Sequence, residues 1–483
     1  MRTLILSTTL LFLLTPLACD DGADNTAPVI AGTAPDQTRV DEVYTYTFRC
    51  TDADGDPVEA TTGDEDTCSG TITHEGEDQW TYSFTPSEGS EDSTCILQVE
   101  CSDGDKHDEE TAAVFITHIP DIAELHFYTF SQWAEPIGDY ITINASELQS
   151  MDFRQAISEL MVFDDALYIG YGDADLNLGR VTPIEVRYFT SLDASDLHSD
   201  FATDEEEISL YRVCGGQLFI PGVDATEDDL MGNVYSLSSG GSWYKSRTLE
   251  WGWHVHDTAC YNGKIYSVGS GGTIDDYNNS TVNAYLWESS DDGETFTVAR
   301  QVAHPAPPGD NRLTQLLAVD DVLYAFGYYS STSTSYTSAF SLESGEFLPY
   351  SAPNFFVLNT WNLSDSLGIA VGVNIATPLT FGAMFVTADG MEPVAGLEGY
   401  TVWDLYPLGD GRALVLYTDG DTYPEPHVSA YGAKVALMSP TGELTLITYQ
   451  FFQEKPRSLA FWREHLFLGL SNGQVLINEP TDK

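Results

Sequence analysis

Three observations on the 483-residue sequence predict an all-β chain, a small β-sandwich followed by a β-propeller. The first is a strand of the form x-x-Leu-Tyr-x-x-Gly that returns about every fifty residues from position 160 onward. Its copies run from Ala166-Leu167-Tyr168-Ile169-Gly170 through Gln217–Gly222, Lys264–Gly269, Val322–Gly327, Leu367–Gly372 and Ala413–Tyr417 to His465–Gly469. Seven copies at this spacing match four-stranded blades, so seven blades are expected, with six or eight left open. The second is period-two alternation ahead of the repeats, in Val43–Phe48, Trp80–Phe84 and Ile96–Val99, punctuated by Gly, Asp and Pro. The third is the lack of any long amphipathic helical pattern.

Taken in order, Met1-Arg2-Thr3 precedes an apolar run from Leu4 to Leu17, too short to span a bilayer and suited to a secretory signal peptide over residues 1–18. The run ends Leu17-Ala18-Cys19-Asp20, which resembles a bacterial lipoprotein lipobox. That resemblance implies lipid on Cys19 and a membrane-tethered, exported protein; the alternative is cleavage nearby with Cys19 unmodified. Asp20 also resembles an inner-membrane retention signal, and which membrane holds the protein stays open. Residues 19–27 are small and polar, as a tether would be.

Residues 28–119 carry the sandwich pattern. Their order of pieces, Pro28-Val29-Ile30, Tyr44-Thr45-Tyr46, Asp52-Ala53-Asp54-Gly55-Asp56, Trp80-Thr81 and Ser102-Asp103-Gly104-Asp105, resembles the cadherin-like or immunoglobulin-like domains of bacterial surface proteins. Cys50 and Cys101 each precede an acidic turn by two residues. If they bond, Asp52, Asp54 and Asp56 meet Asp103 and Asp105 at one end, where a hard cation such as Ca²⁺ would relieve their repulsion. Cys68 would then pair with Cys95. Solvated turn aspartates are the alternative, and no organic cofactor is expected.

Residues 120–483 form the propeller region. Glu124–Phe130 reads as an early strand that completes the short last blade and removes the open sheet edges. Cys214 and Cys260 hold nearly equivalent places in consecutive repeats, which makes a bridge between adjacent blades plausible. With Cys19 lipidated, six of the seven cysteines remain for disulfides, as in an oxidising compartment. The sharpest local motif is Ser289-Ser290-Asp291-Asp292-Gly293-Glu294-Thr295-Phe296, which resembles the Asp-box of sialidases and sortilin-type receptors. The resemblance implies that Ser289, Asp291, Gly293, Thr295 and Phe296 are structural and remote from any ligand face. A sialidase active site opens on Arg-Ile-Pro; the nearest stretch here, Phe153-Arg154-Gln155-Ala156, lacks the Ile-Pro.

His254 and His256 fall on one face of a strand, where two imidazoles could share a metal or simply line a channel. Equivalent strand starts supply Glu159, Tyr211, Arg312, Trp361, Trp403 and Arg457 as candidate ligand-binding residues at the propeller mouth. The formal charge of −56, from 75 Asp and Glu against 19 Lys and Arg, repels nucleic acid and anionic membrane surfaces. The expected function is therefore a non-enzymatic cell-envelope lipoprotein that binds a protein or glycan partner. A glycan-active hydrolase related to sialidases and a structural envelope protein are the alternatives, and oligomeric state stays open.

Overall fold

The computed structural model describes residues 25–32, 34, 37–40, 43–76, 78–87, 89–90, 93–117, 127, 129–137, 156–174, 184–227, 230–305, 308–330, 335–343, 346–350, 354–374, 380–419 and 431–479. Cys19 and the signal peptide lie outside them. No helix among the described residues is long and apolar enough to cross a membrane.

Eight strands near the N-terminus make two four-stranded sheets. One orders Val29–Ala31, Tyr44–Thr51, Gln79–Phe84 and Thr71–Gly76; the other orders Gln37–Arg39, His107–Thr117, Ser93–Ser102 and Glu59–Thr62. Tyr44–Thr51 alternates buried and exposed along its whole length, as a half-buried strand must. Tyr46, Phe48, Tyr82, Leu97, Val99 and Val114 from the two sheets share one core. Cys50–Cys101 and Cys68–Cys95 are bonded across it.

From Ile157 onward the strands form seven antiparallel four-stranded units in chain order. The first is Ile157–Phe163, Ala166–Tyr171, Glu185–Phe189 and Leu197–Ala202. The leading strands of the next six are Arg212–Cys214, Gly252–Tyr261, Gly309–Val319, Phe355–Ser364, Tyr400–Pro407 and Pro456–Trp462. From the second unit onward the leading strands of successive units pack on one another, Pro456–Trp462 returns to Ile157–Phe163, and Ser158 Oγ and Tyr211 Oη bond across the first and second units, so the units close a ring. The all-β arrangement is consistent with a β-propeller. Cys214 and Cys260, on the second and third leading strands, are joined. With the other two disulfides this pairing fits an extracytoplasmic protein.

The last unit has only three strands of its own, and Ser131–Ala134 supplies the fourth by pairing with Val475–Asn478. The closing strand thus lies later than Glu124–Phe130. Phe130 instead docks its backbone on the Gln450 side chain and its ring against Phe452. Large aromatics and aliphatics fill the spaces between units, for example Trp287, Tyr285 and Phe219 in one cluster and Trp462, Phe467 and Tyr171 in another. The N-terminal sheets sit against one end of the ring. Thr94 Oγ1 donates to Asp164 Oδ1 at 2.9 Å, and the Phe115 and Phe163 rings are 6.4 Å apart.

Candidate functional site

The repeat that announces each unit has a physical cause that also builds the site. In six of the seven leading strands the pairing slips at an equivalent place, between Ile157 and Glu159, Val255 and Asp257, Leu313 and Gln315, Val357 and Asn359, Val402 and Asp404, and Pro456 and Ser458. Such a bulge leaves one residue unpaired and re-aims its neighbours. The glycine of the repeat lies opposite. A Cβ on Gly269, Gly327 or Gly372 would fall 1.9–2.0 Å from the carbonyl oxygen of His254, Arg312 or Phe356, so no other residue fits.

The bulges place Glu159, Asp257, Gln315, Asn359, Asp404 and Ser458 at one level around the ring axis. Asp257 is fully buried, and its two oxygens accept from Thr258 N and from Leu316 N of the next unit, both at 2.8 Å. Asp404 repeats the pattern, accepting from Leu405 N at 2.8 Å and Leu459 N at 2.6 Å. Each aspartate thereby ties its own strand to the following unit. Into this level Arg212 projects its guanidinium. Nε and Nη2 donate to the two oxygens of Asp257 at 2.7 and 3.0 Å, and Nη2 also donates to Gln315 Oε1 at 3.3 Å and Asn359 Oδ1 at 3.2 Å. Burial works against the Arg212 charge, but Asp257, with Glu159 and Asp404, more than offsets it. The remaining carboxyls are not paired in this way. Burial and then the neighbouring Asp404 hold Glu159 well above the usual carboxylate range, and burial raises Asp404 against its two backbone donors.

On one side of this level opens a cavity of about 210 Å³, lined by Glu159, His256, Gln315, Leu358, Asn359 and Trp403 among others. On the other side a cavity of about 460 Å³ extends under the N-terminal sheets, reaching Tyr44 and Phe115. Glu159 borders both, and Arg212 lies between them. His254 Nδ1 donates to the Val223 carbonyl at 2.9 Å, and its ring lies 5.9 Å from that of His256. Burial, reinforced by Arg312, pushes His254 down to about 4; burial followed by His254 and Arg312 takes His256 lower than its usual value as well. Both imidazoles are therefore neutral near pH 7. Lys455 Nζ lies 4.1 Å and Arg457 Cζ 5.4 Å from the Trp403 ring centre.

Of the residues expected at the mouth, Glu159, His256 and Trp403 line the smaller cavity, while His254, Arg312 and Arg457 line neither. Tyr211 is fully buried between units, where its hydroxyl donates to the Ile169 carbonyl at 3.1 Å. Trp361 is 7% exposed in a core cluster and borders the cavity under the N-terminal sheets. Arg212, Asp257, Gln315, Asn359 and Asp404 were not among the expected residues. A signal for that level exists: Glu159, Asp257, Gln315 and Ser458 each stand nine residues ahead of the aromatic of their repeat, Tyr168, Tyr266, Tyr324 and Phe467.

The Ser289–Phe296 turn closes the outer hairpin of the third unit and does not line either cavity. Asp291 Oδ1 accepts from Thr295 N at 2.9 Å and from Ser289 Oγ at 2.7 Å; Thr295 Oγ1 donates to its other oxygen. Gly293 supplies the left-handed φ of 86°, and Phe296 is buried against the neighbouring unit.

The two acidic turns do meet, around Asn25 and Thr26. Asp54 Oδ2 accepts from Thr26 N at 2.7 Å, Asp103 Oδ2 accepts from Asn25 Nδ2 at 3.0 Å, and Lys106 Nζ donates to the Asn25 carbonyl. Asp52 Oδ1 accepts from Asp54 N and Asp56 N, and Asp103 Oδ1 accepts from Asp105 N and Lys106 N. Bonds from Thr26 hold Asp54, and bonds from the Lys106 and Asp105 backbone hold Asp103, below the usual carboxylate range. Among the described residues no group of three or more His, Cys, Asp or Glu is arranged to hold a metal, and this includes His254 and His256.

No protein-family model matches the sequence, and no curated protein matches it. Solved structures similar to this chain include a quinonprotein alcohol dehydrogenase-like protein from Bacteroides thetaiotaomicron, 12% identical over 88% of this chain and 96% of that one, at a TM-score of 0.33. Virginiamycin B lyase from Staphylococcus aureus is 10% identical over 73% of this chain and 99% of its own, at 0.42. BamB from Moraxella catarrhalis is 10% identical over 66% and 83%, at 0.33. Likeness at these values carries no argument about activity.

Proposed function

We propose that the protein is a non-enzymatic cell-envelope lipoprotein, anchored through lipid on Cys19, whose propeller binds a protein or glycan partner at its open mouth. The N-terminal sheets act in this reading as a cadherin-like or immunoglobulin-like sandwich that spaces the propeller from the membrane. One observation carries it: the cavity lined by His256, Leu358 and Trp403 opens outward, while Arg212 closes its floor and the N-terminal sheets cover the opposite end. Binding is favoured over hydrolysis because both oxygens of Asp257 and of Asp404 accept from backbone donors, which leaves Glu159 as the one carboxyl on the cavity without such bonds, where glycoside hydrolysis takes a pair.

The test is a thermal-shift screen of envelope oligosaccharides and peptides against the mature protein and its Trp403→Ala variant. At least one ligand should raise the midpoint of the wild type by several degrees and leave the variant unmoved. Hits that stabilise both proteins equally would place binding elsewhere and overturn the reading.

A Ca²⁺ ion in the acidic turns is a second proposal, supported by two buried oxygens without a hydrogen-bond partner, Asn25 Oδ1 and Asp52 Oδ2. With Asp54 and Asp103 beside them, these are oxygen ligands of the kind calcium takes. The ion would compete there with the Lys106 ammonium. Adding Ca²⁺ after EDTA treatment should raise the midpoint of the wild type but not of Asp52→Asn. An unchanged midpoint removes calcium from the account.

A further inference from the structure

The side chains on the cavity floor have a donor and acceptor pattern that selects among ligand chemistries. Arg212 Nη2 donates to Gln315 Oε1 and Asn359 Oδ1, and Asn359 Oδ1 also accepts from Thr360 N. An arginine only donates, so these bonds fix which end of each amide faces it. Nε2 of Gln315 and Nδ2 of Asn359 are left over, and neither has a partner among the described residues. Both residues line the cavity. Glu159, 7% exposed, also lines it, and its carboxyl meets no hydrogen-bond donor among the described residues. The floor therefore offers two amide donors and one carboxyl, with the Ser209 hydroxyl beside them.

A small cation would answer Glu159 but leave both amides facing a group that accepts nothing. An anion would answer the amides but meet Glu159 and Asp404. A group that both donates and accepts satisfies the whole set, and an alcohol hydroxyl is such a group. The walls narrow the choice further. Leu358 is 48% exposed at the mouth, and the Trp403 ring forms part of the same wall. A ligand with a hydroxyl edge and an apolar C–H face matches floor and wall together, and a cavity of about 210 Å³ suits one ring at a chain end better than a polymer segment.

We infer that the mouth recognises a neutral saccharide unit, with its hydroxyls on Glu159, Gln315 and Asn359 and its C–H face on Trp403 and Leu358. The inference rests on the binding-protein reading above and narrows it from protein or glycan to one ligand chemistry.

Isothermal titration of the mature protein tests it, using methyl glucoside, methyl galactoside, methyl mannoside and N-acetylglucosamine, with methylammonium and acetate as charged probes. At least one neutral saccharide should bind, and neither charged probe should. Gln315→Glu and Asn359→Asp keep the oxygen that Arg212 needs and replace only the outward amide nitrogen, so each should weaken binding tenfold or more. Glu159→Gln should do the same. Ser209→Ala touches none of the Arg212 bonds and covers the case in which a floor variant does not fold; it should weaken binding severalfold. The inference is overturned if none of the neutral saccharides binds, if a charged probe binds instead, or if folded floor variants and Ser209→Ala all bind as the wild type does. A peptide ligand lost in Trp403→Ala would keep the mouth reading and remove the saccharide. Saccharide binding that survives Trp403→Ala unchanged would remove both.

Discussion

Replacing Arg212 with methionine should destabilise the ring by about 3–5 kcal/mol, the usual cost of leaving a buried ion-pair partner without its counter-charge. Asp257 is fully shielded from solvent and gains its only opposite charge from Arg212, with Nε and Nη2 at 2.7 and 3.0 Å. Glu159 and Asp404 lean on the same guanidinium. Arg212→Lys should recover only part of the loss, because an ammonium cannot reproduce the two-pronged bond or reach Gln315 and Asn359 as well. In the double variant Arg212→Met, Asp257→Leu the cost should be well below the sum of the two single changes. Urea denaturation of the wild type, Arg212→Met, Arg212→Lys, Asp257→Leu and the double variant measures all of this. A loss under about 1 kcal/mol for Arg212→Met would mean that solvent already reaches the ion pair.

The second large effect is a dependence of stability on pH set by two sets of buried groups with opposite signs. His254 is pushed down to about 4 by burial and Arg312, and His256 is pushed down by burial, His254 and Arg312. The unfolded imidazoles take up protons below about 6.5 while the folded ones resist. Their contribution is complete above pH 6.5 and is lost as pH falls below it, for His254 by up to about 3 kcal/mol toward pH 4. Glu205 has the opposite sign. It is fully buried, and burial raises it to about 8 although Asn233 Nδ2, Tyr235 Oη and Asp224 N all donate to it. Its contribution is complete below the unfolded value near 4.3 and is lost as pH rises through 8. Glu159 and Asp404 act in the same direction. Between pH 6.5 and 8 the histidines no longer titrate, so the wild type should lose stability with rising pH in that interval. Glu205→Gln should flatten the slope there, and His254→Gln should remove one of the losses that oppose the carboxyl gain below pH 6.5, so the variant gains more than the wild type as pH falls toward 4. Midpoints that stay level from pH 5 to 8 in the wild type would show that these groups titrate alike folded and unfolded.

Most of the ring was readable because its signal is local. A leading strand, a hairpin and an apolar second strand recur in each unit, the second strand ending in glycine in all but the sixth, and tight packing at the bulge forbids a side chain on Gly269, Gly327 or Gly372. The Cys214–Cys260 bond followed from equivalent repeat positions, and the two N-terminal bonds from the spacing of cysteines to acidic turns. The closing strand was misplaced because Ser131-Gln132-Trp133-Ala134 is short and lacks alternation; pairing with Val475–Asn478 makes it a strand.

The candidate site was only partly readable. His256, Trp403 and Glu159 do border the cavity, but Tyr211 and Trp361 were placed there by counting from strand starts. A bulge shifts the faces of a strand by one residue, so such counting fails at Trp361, which lies between two slips, while Tyr211 lies just ahead of a leading strand that pairs without one. Nothing local marks Arg212 as the residue that crosses the axis, since Gln315 and Asn359 lie 103 and 147 residues away from it.

The sequence by itself determined the strand content, the repeat and the self-stapled Asp291 turn, because each depends on neighbours within one or two hairpins, while the cysteine pairs it suggested were fixed by the fold. Tertiary structure alone decided which side chains share the axis, which carboxyls are left without a counter-charge and which amide nitrogens face outward. Those properties arise only when seven leading strands converge on one line, where burial and long-range pairing set the charge of every group.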